Sequence, residues 1–204
     1  MSGLAVAADL LILNLLTVVC SLPIVTIGAS ITSMNAVCIR LVRGESNSVL
    51  SEFFRSFRSN FKKGTLLGLL LLAVSALLYF DYLAAQNYVP AFLIGITAIA
   101  ILFLAVFEIS FAMLARYENT LLLTLKNSAL LAVAYFPRTL LMLMFSIGFW
   151  LACAVFFRIM GYVLFMFGLS LPCYVSCMLL REIFNKLEEK QTESSLSQED
   201  SIND

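Results

Sequence analysis

The chain contains no histidine. That absence removes the side chain most often used as general base, proton switch and zinc ligand. Charge is scarce as well. Only 13% of the residues are Asp, Glu, Lys or Arg, roughly half the share usual in a soluble domain. The two signs cancel to a net charge of zero. No basic patch interleaved with aromatics stands outside the membrane-flanking regions, so nucleic acid is not an expected partner. The five cysteines, Cys20, Cys38, Cys153, Cys173 and Cys177, form no CxxC pair. Cys173 and Cys177 share one face of a helix and read as small packing residues rather than a disulfide framework. No nucleophile–base pair, metal-ligand cluster or phosphate-cradling loop is visible. The expectation is therefore a protein that is not an enzyme, with no cofactor and no metal.

What fills the space is apolar sequence. Hydrophobic residues make up 61% of the chain, and they gather in charge-free runs over 10–39, 64–80, 82–107, 139–157 and 159–180. About 20 apolar residues cross the hydrocarbon core of a bilayer. A soluble core helix has no reason to be apolar on every face, whereas a lipid-exposed one does. The pattern predicts an all-α, polytopic transmembrane helical bundle of five or six spans, with the bilayer as its solvent. Residues 1–185 form this single domain, and 186–204 read as a disordered, acidic C-terminal tail.

The count turns on residues 4–42, which are about twice as long as one crossing needs. Pro23 interrupts them and disfavours helix in the residue before it. Either this is one kinked crossing running to Arg40, or it is a helical hairpin of 4–22 and 28–42. In the hairpin the small residues after Pro23 need a protein neighbour. Residues 1–8 carry no positive side chain, and Val19 stands where a small residue would precede Cys20 in a lipoprotein signal. The segment therefore reads as retained.

Two further segments read as amphipathic helices in the cytoplasmic interface. In 44–63, Val49, Leu50, Phe53, Phe54, Phe57 and Phe61 recur at helical spacing, with Arg55, Arg58, Lys62 and Lys63 off the stripe. In 116–138, Thr120, Thr124, Asn127 and Ser128 form a polar stripe among leucines, and Pro137 breaks the chain before the next crossing. Gly64 and Gly68 stand in GxxxG spacing, which suits close contact with a helix of the same chain more than a dimer seam.

Lysine and arginine fall in alternate loops. Residues 40–63 carry Arg40, Arg43, Arg55, Arg58, Lys62 and Lys63, and Arg116, Lys126 and Arg138 mark the next basic loop. Arg181, Lys186 and Lys190 begin the C-terminal region, whereas 81–90 has no basic residue and the last turn has only Arg158. By the positive-inside rule the basic loops and the C-terminus face the cytoplasm of a plasma-membrane protein. Tyr79, Tyr82 and Tyr88 then belong to an outer aromatic belt, while Trp150 fits neither belt.

Ionisable residues in membrane spans are costly and mark candidate sites. Asp9 and Asn14 lie in the first segment, and Asp81 sits at the outer end of its span. Glu108 lies about 27 Å inward from Pro90, at about 1.5 Å per residue. Glu108 and Arg116 share a helical face, so snorkelling or a local ion pair accounts for Glu108. Asp9, Asn14, Glu108 and Arg116 are the candidate intramembrane polar site.

The sequence resembles the YesL family of bacterial membrane proteins, catalogued as a domain of unknown function, over about residues 3–185. The resemblance rests on Asp9-Leu10 with Asn14-Leu15-Leu16, then Cys20-Ser21-Leu22-Pro23-Ile24-Val25-Thr26-Ile27-Gly28-Ala29. Leu41-Val42-Arg43-Gly44-Glu45, Phe53-Phe54-Arg55-Ser56-Phe57, Asn60-Phe61-Lys62, Leu125-Lys126-Asn127 and Phe136-Pro137-Arg138 extend it. Relatives often begin with basic residues and carry Trp near Leu16–Thr17, and this chain does neither. Members are typical of Gram-positive bacteria, and their genes often neighbour carbohydrate ABC transporters. The resemblance therefore implies an accessory or permease-like role in carbohydrate uptake, with ABC transporter subunits as partners. A membrane scaffold or sensor without a transport role is the alternative. An intramembrane carrier or enzyme built on Asp9, Asn14 and Glu108 is a second.

Overall fold

The computed structural model describes residues 3–46, 48–88, 92–117, 119–155 and 167–203. Within these, the side chains of 3–4, 87–88, 153 and 187–203 are not described. The elements are α1 (Gly3–Cys20), a 3-10 turn (Ile24–Thr26), α2 (Ile27–Arg43), α3 (Val49–Tyr88), α4 (Leu93–Arg116), α5 (Leu121–Ala134), α6 (Phe136–Val155) and α7 (Ser170–Asn203). Among the described residues every regular element is helical, as the composition predicts.

The chain between 4 and 42 takes the hairpin form. Helix α1 stops three residues before Pro23, whose ring disfavours helix in the residue before it. The Thr26 hydroxyl donates to the Cys20 carbonyl at 2.7 Å and closes the open end of α1. Helix α2 ends on Gly44, the one described residue at left-handed φ, at 74°. There the Gly44 N–H reaches the Leu41 carbonyl at 3.1 Å and the Glu45 N–H reaches Arg40 at 3.0 Å. This Schellman pairing satisfies carbonyls that would otherwise be orphaned.

Small residues let α2 sink into the bundle. Gly28, Ala29, Ser30, Thr32 and Ser33 are all buried. A Cβ on Gly28 would lie 2.1 Å from the Gly64 carbonyl oxygen, and one on Gly64 would lie 2.9 Å from Ala29 Cα. The GxxxG face of α3 therefore packs on α2 of the same chain, as its spacing suggested. Two hydroxyls on this dry surface bond back along their own helix: Thr32 to Gly28 at 2.8 Å and Ser33 to Ala29 at 2.7 Å.

Helix α3 departs from the expected division into an interfacial helix and a span. It runs unbroken for 40 residues, about 60 Å, or about twice the hydrocarbon thickness. The physical reason is that no proline or turn pair stands between Val49 and Tyr88. A change of composition at Lys63–Gly64 does not end a helix when both halves favour one. Phe53 and Phe57 face inward, and Leu50, Phe54 and Phe61 stay exposed.

Helices α5 and α6 meet at a 99° bend around Tyr135. Pro137 lies in the first turn of α6, where its missing N–H costs little. On α5 the polar stripe turns inward: Thr124 and Ser128 are buried, while Leu122 and Leu130 are 82% and 69% exposed. The outward face of this helix is the apolar one. Helix α7 packs on α1, α2 and α6, and an Arg138–Glu182 ion pair ties it to α6. It stays helical to Asn203, through residues that the sequence reading expects to be a disordered tail. Glu, Lys and Gln are good helix formers, and local propensity favours that form. The connection at Arg158, residues 159–166 of the run 159–180, and residues 89–90 of the turn lie outside the described residues.

Among the described residues three helices are long and apolar enough to cross a membrane, Ile24–Arg43, Val49–Gln86 and Leu93–Arg116. The bent pair of α5 and α6 is a fourth candidate if it counts as one span. Large apolar side chains cover their outer faces, including Ile94, Phe80 and Leu77. Such a contiguous apolar exterior fits lipid rather than water.

Candidate functional site

Helices α4, α6 and α7 enclose one carboxylate. Glu108 sits two turns before the end of α4. Its Oε1 accepts from the Ser146 hydroxyl of α6 at 3.0 Å and the Ser176 hydroxyl of α7 at 2.5 Å. These two donors come from 38 and 68 residues away in sequence. The carboxylate thus joins three helices, where the sequence reading gives it a local partner on its own helix. Arg116 turns elsewhere, with its guanidinium 4.7 Å from the Phe184 ring centre and 5.7 Å from that of Tyr117.

Glu108 lines a cavity of about 580 Å³. The wall is mostly apolar, with Leu71, Leu104, Phe107, Phe111 and Leu143, and Asn35 and Ser146 add polar atoms. Trp150 lines the same cavity. This explains a tryptophan that belongs to no interfacial belt. Asn35 donates to the Ile31 carbonyl at 2.9 Å and accepts the Cys177 thiol at 3.8 Å. Beside it Cys38, Cys173 and Cys177 are buried within hydrogen-bonding reach of one another. They fill the α2–α7 contact, in line with their reading as packing residues. Among the described residues no group of three or more His, Cys, Asp or Glu is arranged to hold a metal ion.

The sequence candidates do not form one site. Asn14 is buried, and its Oδ1 accepts the backbone N–H of Leu169 at 3.0 Å and of Ser170 at 3.4 Å. It caps the start of α7. Asn14, Glu108 and Arg116 all meet α7, but near Ser170, Ser176 and Phe184 respectively. Fourteen residues of helix separate the first and last of these, about 21 Å. Asp9 is half-buried on α1, apart from this cavity lining. Only Glu108 of the four faces the cavity. Asn35, Ser146, Ser176 and Trp150 are partners that sequence reasoning missed. A lone hydroxyl or amide in an apolar run carries no mark of its contact.

Chemically, an apolar chamber with one carboxylate on its wall suits an amphiphile. The apolar wall would take its body, and Glu108 would accept from a hydroxyl or ammonium.

Residues 10–82 match the family described as "Protein of unknown function, DUF624". The match covers this segment and not the rest of the chain. The likeness to the YesL family read from the sequence is borne out there. The DUF624 segment spans most of α1, all of α2 and most of α3. It includes Asn14, Asn35 and the Gly28–Gly64–Gly68 crossing, whereas Glu108 lies beyond it. The chain is also similar to "Uncharacterized protein YteU" of Bacillus subtilis (strain 168). The two are 29% identical over 160 residues, covering 76% of this chain and 69% of that protein. No solved structure matches.

Proposed function

We propose that the protein is a multi-pass plasma-membrane protein serving as an accessory component of carbohydrate uptake, bound to ABC-type transporter subunits. It acts by binding rather than by catalysis. In this reading six helices cross the bilayer, α1 to α4, α6 and α7, and both ends face the cytoplasm. The break at Pro23 and the alternation of basic loops support that arrangement. The start of α3 and the region around α5 are its cytoplasmic interfacial elements.

The observation that carries the accessory role is the exposed stripe of Leu50, Phe54 and Phe61 on α3, flanked by Arg55, Arg58 and Lys62. It stands on the part of α3 that precedes the charge-free run from Gly64. There it meets whatever lies at the cytoplasmic face. A permease role is less well supported by the cavity. A sugar needs hydrogen bonds on most of its hydroxyls, and this wall is mostly hydrocarbon.

The test is a photoreactive residue at Phe54 in native membranes, together with sugar uptake in a deletion strain. A cross-link to a transporter subunit and reduced uptake are expected. Cross-links to lipid alone with unchanged uptake would remove this reading.

A further inference from the structure

A second cavity, of about 680 Å³, opens where α2 and α4 end and α3 begins. Among the described residues five cations line it, Arg40, Arg43, Arg55, Lys63 and Arg116, against two carboxylates, Glu45 and Glu52. The excess of three positive charges is gathered from three separate helices. The positive-inside rule requires basic residues on one side of the membrane. It does not require them to converge on one concavity.

The carboxylates are committed within the wall. Glu52 is buried, receives the Ser46 hydroxyl at 3.2 Å and lies 3.9 Å from Arg40. Glu45 lies 4.0 Å from Arg43. The carbonyl ends of α2 and α4 offset part of the charge of Arg43 and Arg116, which occupy their last turns. Arg55 and Lys63 stand on α3, two turns apart and far from its C-terminus. Lys63 donates to the Asn119 carbonyl at 3.1 Å, and neither positive charge is offset by a helix C-terminus. Between them Ser59 donates to the Ser56 carbonyl at 3.1 Å and Asn60 to the Ser56 hydroxyl oxygen at 3.3 Å, so the Ser56 hydroxyl and the second Asn60 N–H are the donors left on this wall. Low-dielectric walls around such a cleft concentrate its field.

We infer that this cleft binds a phosphate ester. Guanidinium forks match phosphate oxygens in pairs, and the net charge suits a multiply charged anion. The cleft is larger than a bare phosphate needs, so it holds the polar body that carries the ester as well. Arg43 and Arg116 are the last residues of two candidate spans, and Lys63 directly precedes the charge-free run of α3. That is the level of lipid headgroups, and also the level at which a soluble phosphate ester arrives from water. The inference does not depend on the uptake reading.

The test uses the full chain and two probes. The protein in mild detergent is titrated with glycerol phosphate by calorimetry. In parallel it is taken from nanodiscs of phosphatidylcholine containing some phosphatidylglycerol, and native mass spectrometry counts the anionic lipid retained. The wild type binds one or both probes, and which one identifies the source. The exposed pair Arg55→Glu/Lys63→Glu lowers that binding by about tenfold or more. Arg58→Glu/Lys62→Glu makes the same charge change on the same helix, outside the cleft, and alters binding by less than about twofold. Arg55→Gln/Lys63→Gln and a melting curve for each variant separate loss of binding from loss of fold. Binding of neither probe by the wild type, equal loss in both Glu pairs, or loss in neither overturns the inference.

Discussion

Gly28 and Gly68 approach so closely that a Cβ built on either lies 2.7 Å from the other's Cα. Nothing in that contact is a flexible side chain that could move aside. Gly28→Ala therefore forces α2 and α3 apart, at an expected cost of about 1–3 kcal/mol. Gly95 and Gly148 are helical glycines, and a Cβ added at either meets nothing within 4 Å. There the change to Ala is expected to be neutral or to add up to about 1 kcal/mol through helix propensity. Unfolding midpoints in mixed micelles check this. Equal midpoints for G28A and G148A would remove the close crossing.

A second prediction concerns how α7 begins. Asn14 offers the oxygen that receives the first free N–H groups of that helix, and it is 2% exposed, so water cannot replace it. Asn14→Ala is expected to cost about 1 kcal/mol, in the usual range for a lost helix cap. Asn14→Asp keeps the acceptor and should retain more stability. Hydrogen exchange at the amides of Leu169 and Ser170 is the readout. It should accelerate in N14A and change less in N14D.

Contacts with neighbours in sequence are legible from residue types, and contacts made only on packing are not. Pro23 marked the break between α1 and α2, because proline acts on its immediate neighbours. The GxxxG spacing of Gly64 and Gly68 marked a close helix contact, because small residues at that interval make a flat face. The continuity of α3 was hidden. Composition changes at Gly64, but composition does not report whether the backbone turns. The partners of Glu108 were hidden as well. Arg116 was in view on the same helix, whereas Ser146 and Ser176 come close only once α4, α6 and α7 have packed.

The Glu108 contacts give a third prediction. Glu108→Ala leaves the Ser146 and Ser176 hydroxyls without their acceptor, at about 1–3 kcal/mol for unsatisfied groups in a dry interior. Ser146→Ala and Ser176→Ala remove one donor each and are expected to cost about 1 kcal/mol apiece. The triple substitution to alanine should therefore cost less than the sum of the three single changes. Unfolding midpoints of the four variants decide. Strict additivity would mean that the carboxylate does not hold the two hydroxyls together.

Trp150 is the only tryptophan in the chain, and it lines the chamber that Glu108 faces. Its emission therefore reports that chamber without a label. An amphiphile with a brominated acyl chain that enters the cavity brings the heavy atom against the indole and quenches it. Trp150 is 47% exposed, so lipid outside the cavity quenches it too, and the two routes must be separated. Narrowing the chamber does so, and moving the reporter to α4 checks the result from a second wall. Leu104→Trp, made together with Trp150→Phe, puts the indole on α4 instead. Leu143→Phe on α6 narrows the space without touching the outer face of Trp150. If the amphiphile enters, Leu143→Phe weakens quenching of Trp150 by a soluble brominated amphiphile but leaves quenching by bulk brominated lipid unchanged. The indole placed on α4 should be quenched by the same amphiphile. Quenching of Trp150 that ignores Leu143→Phe would place all of it at the outer surface, and the chamber would then be no amphiphile site.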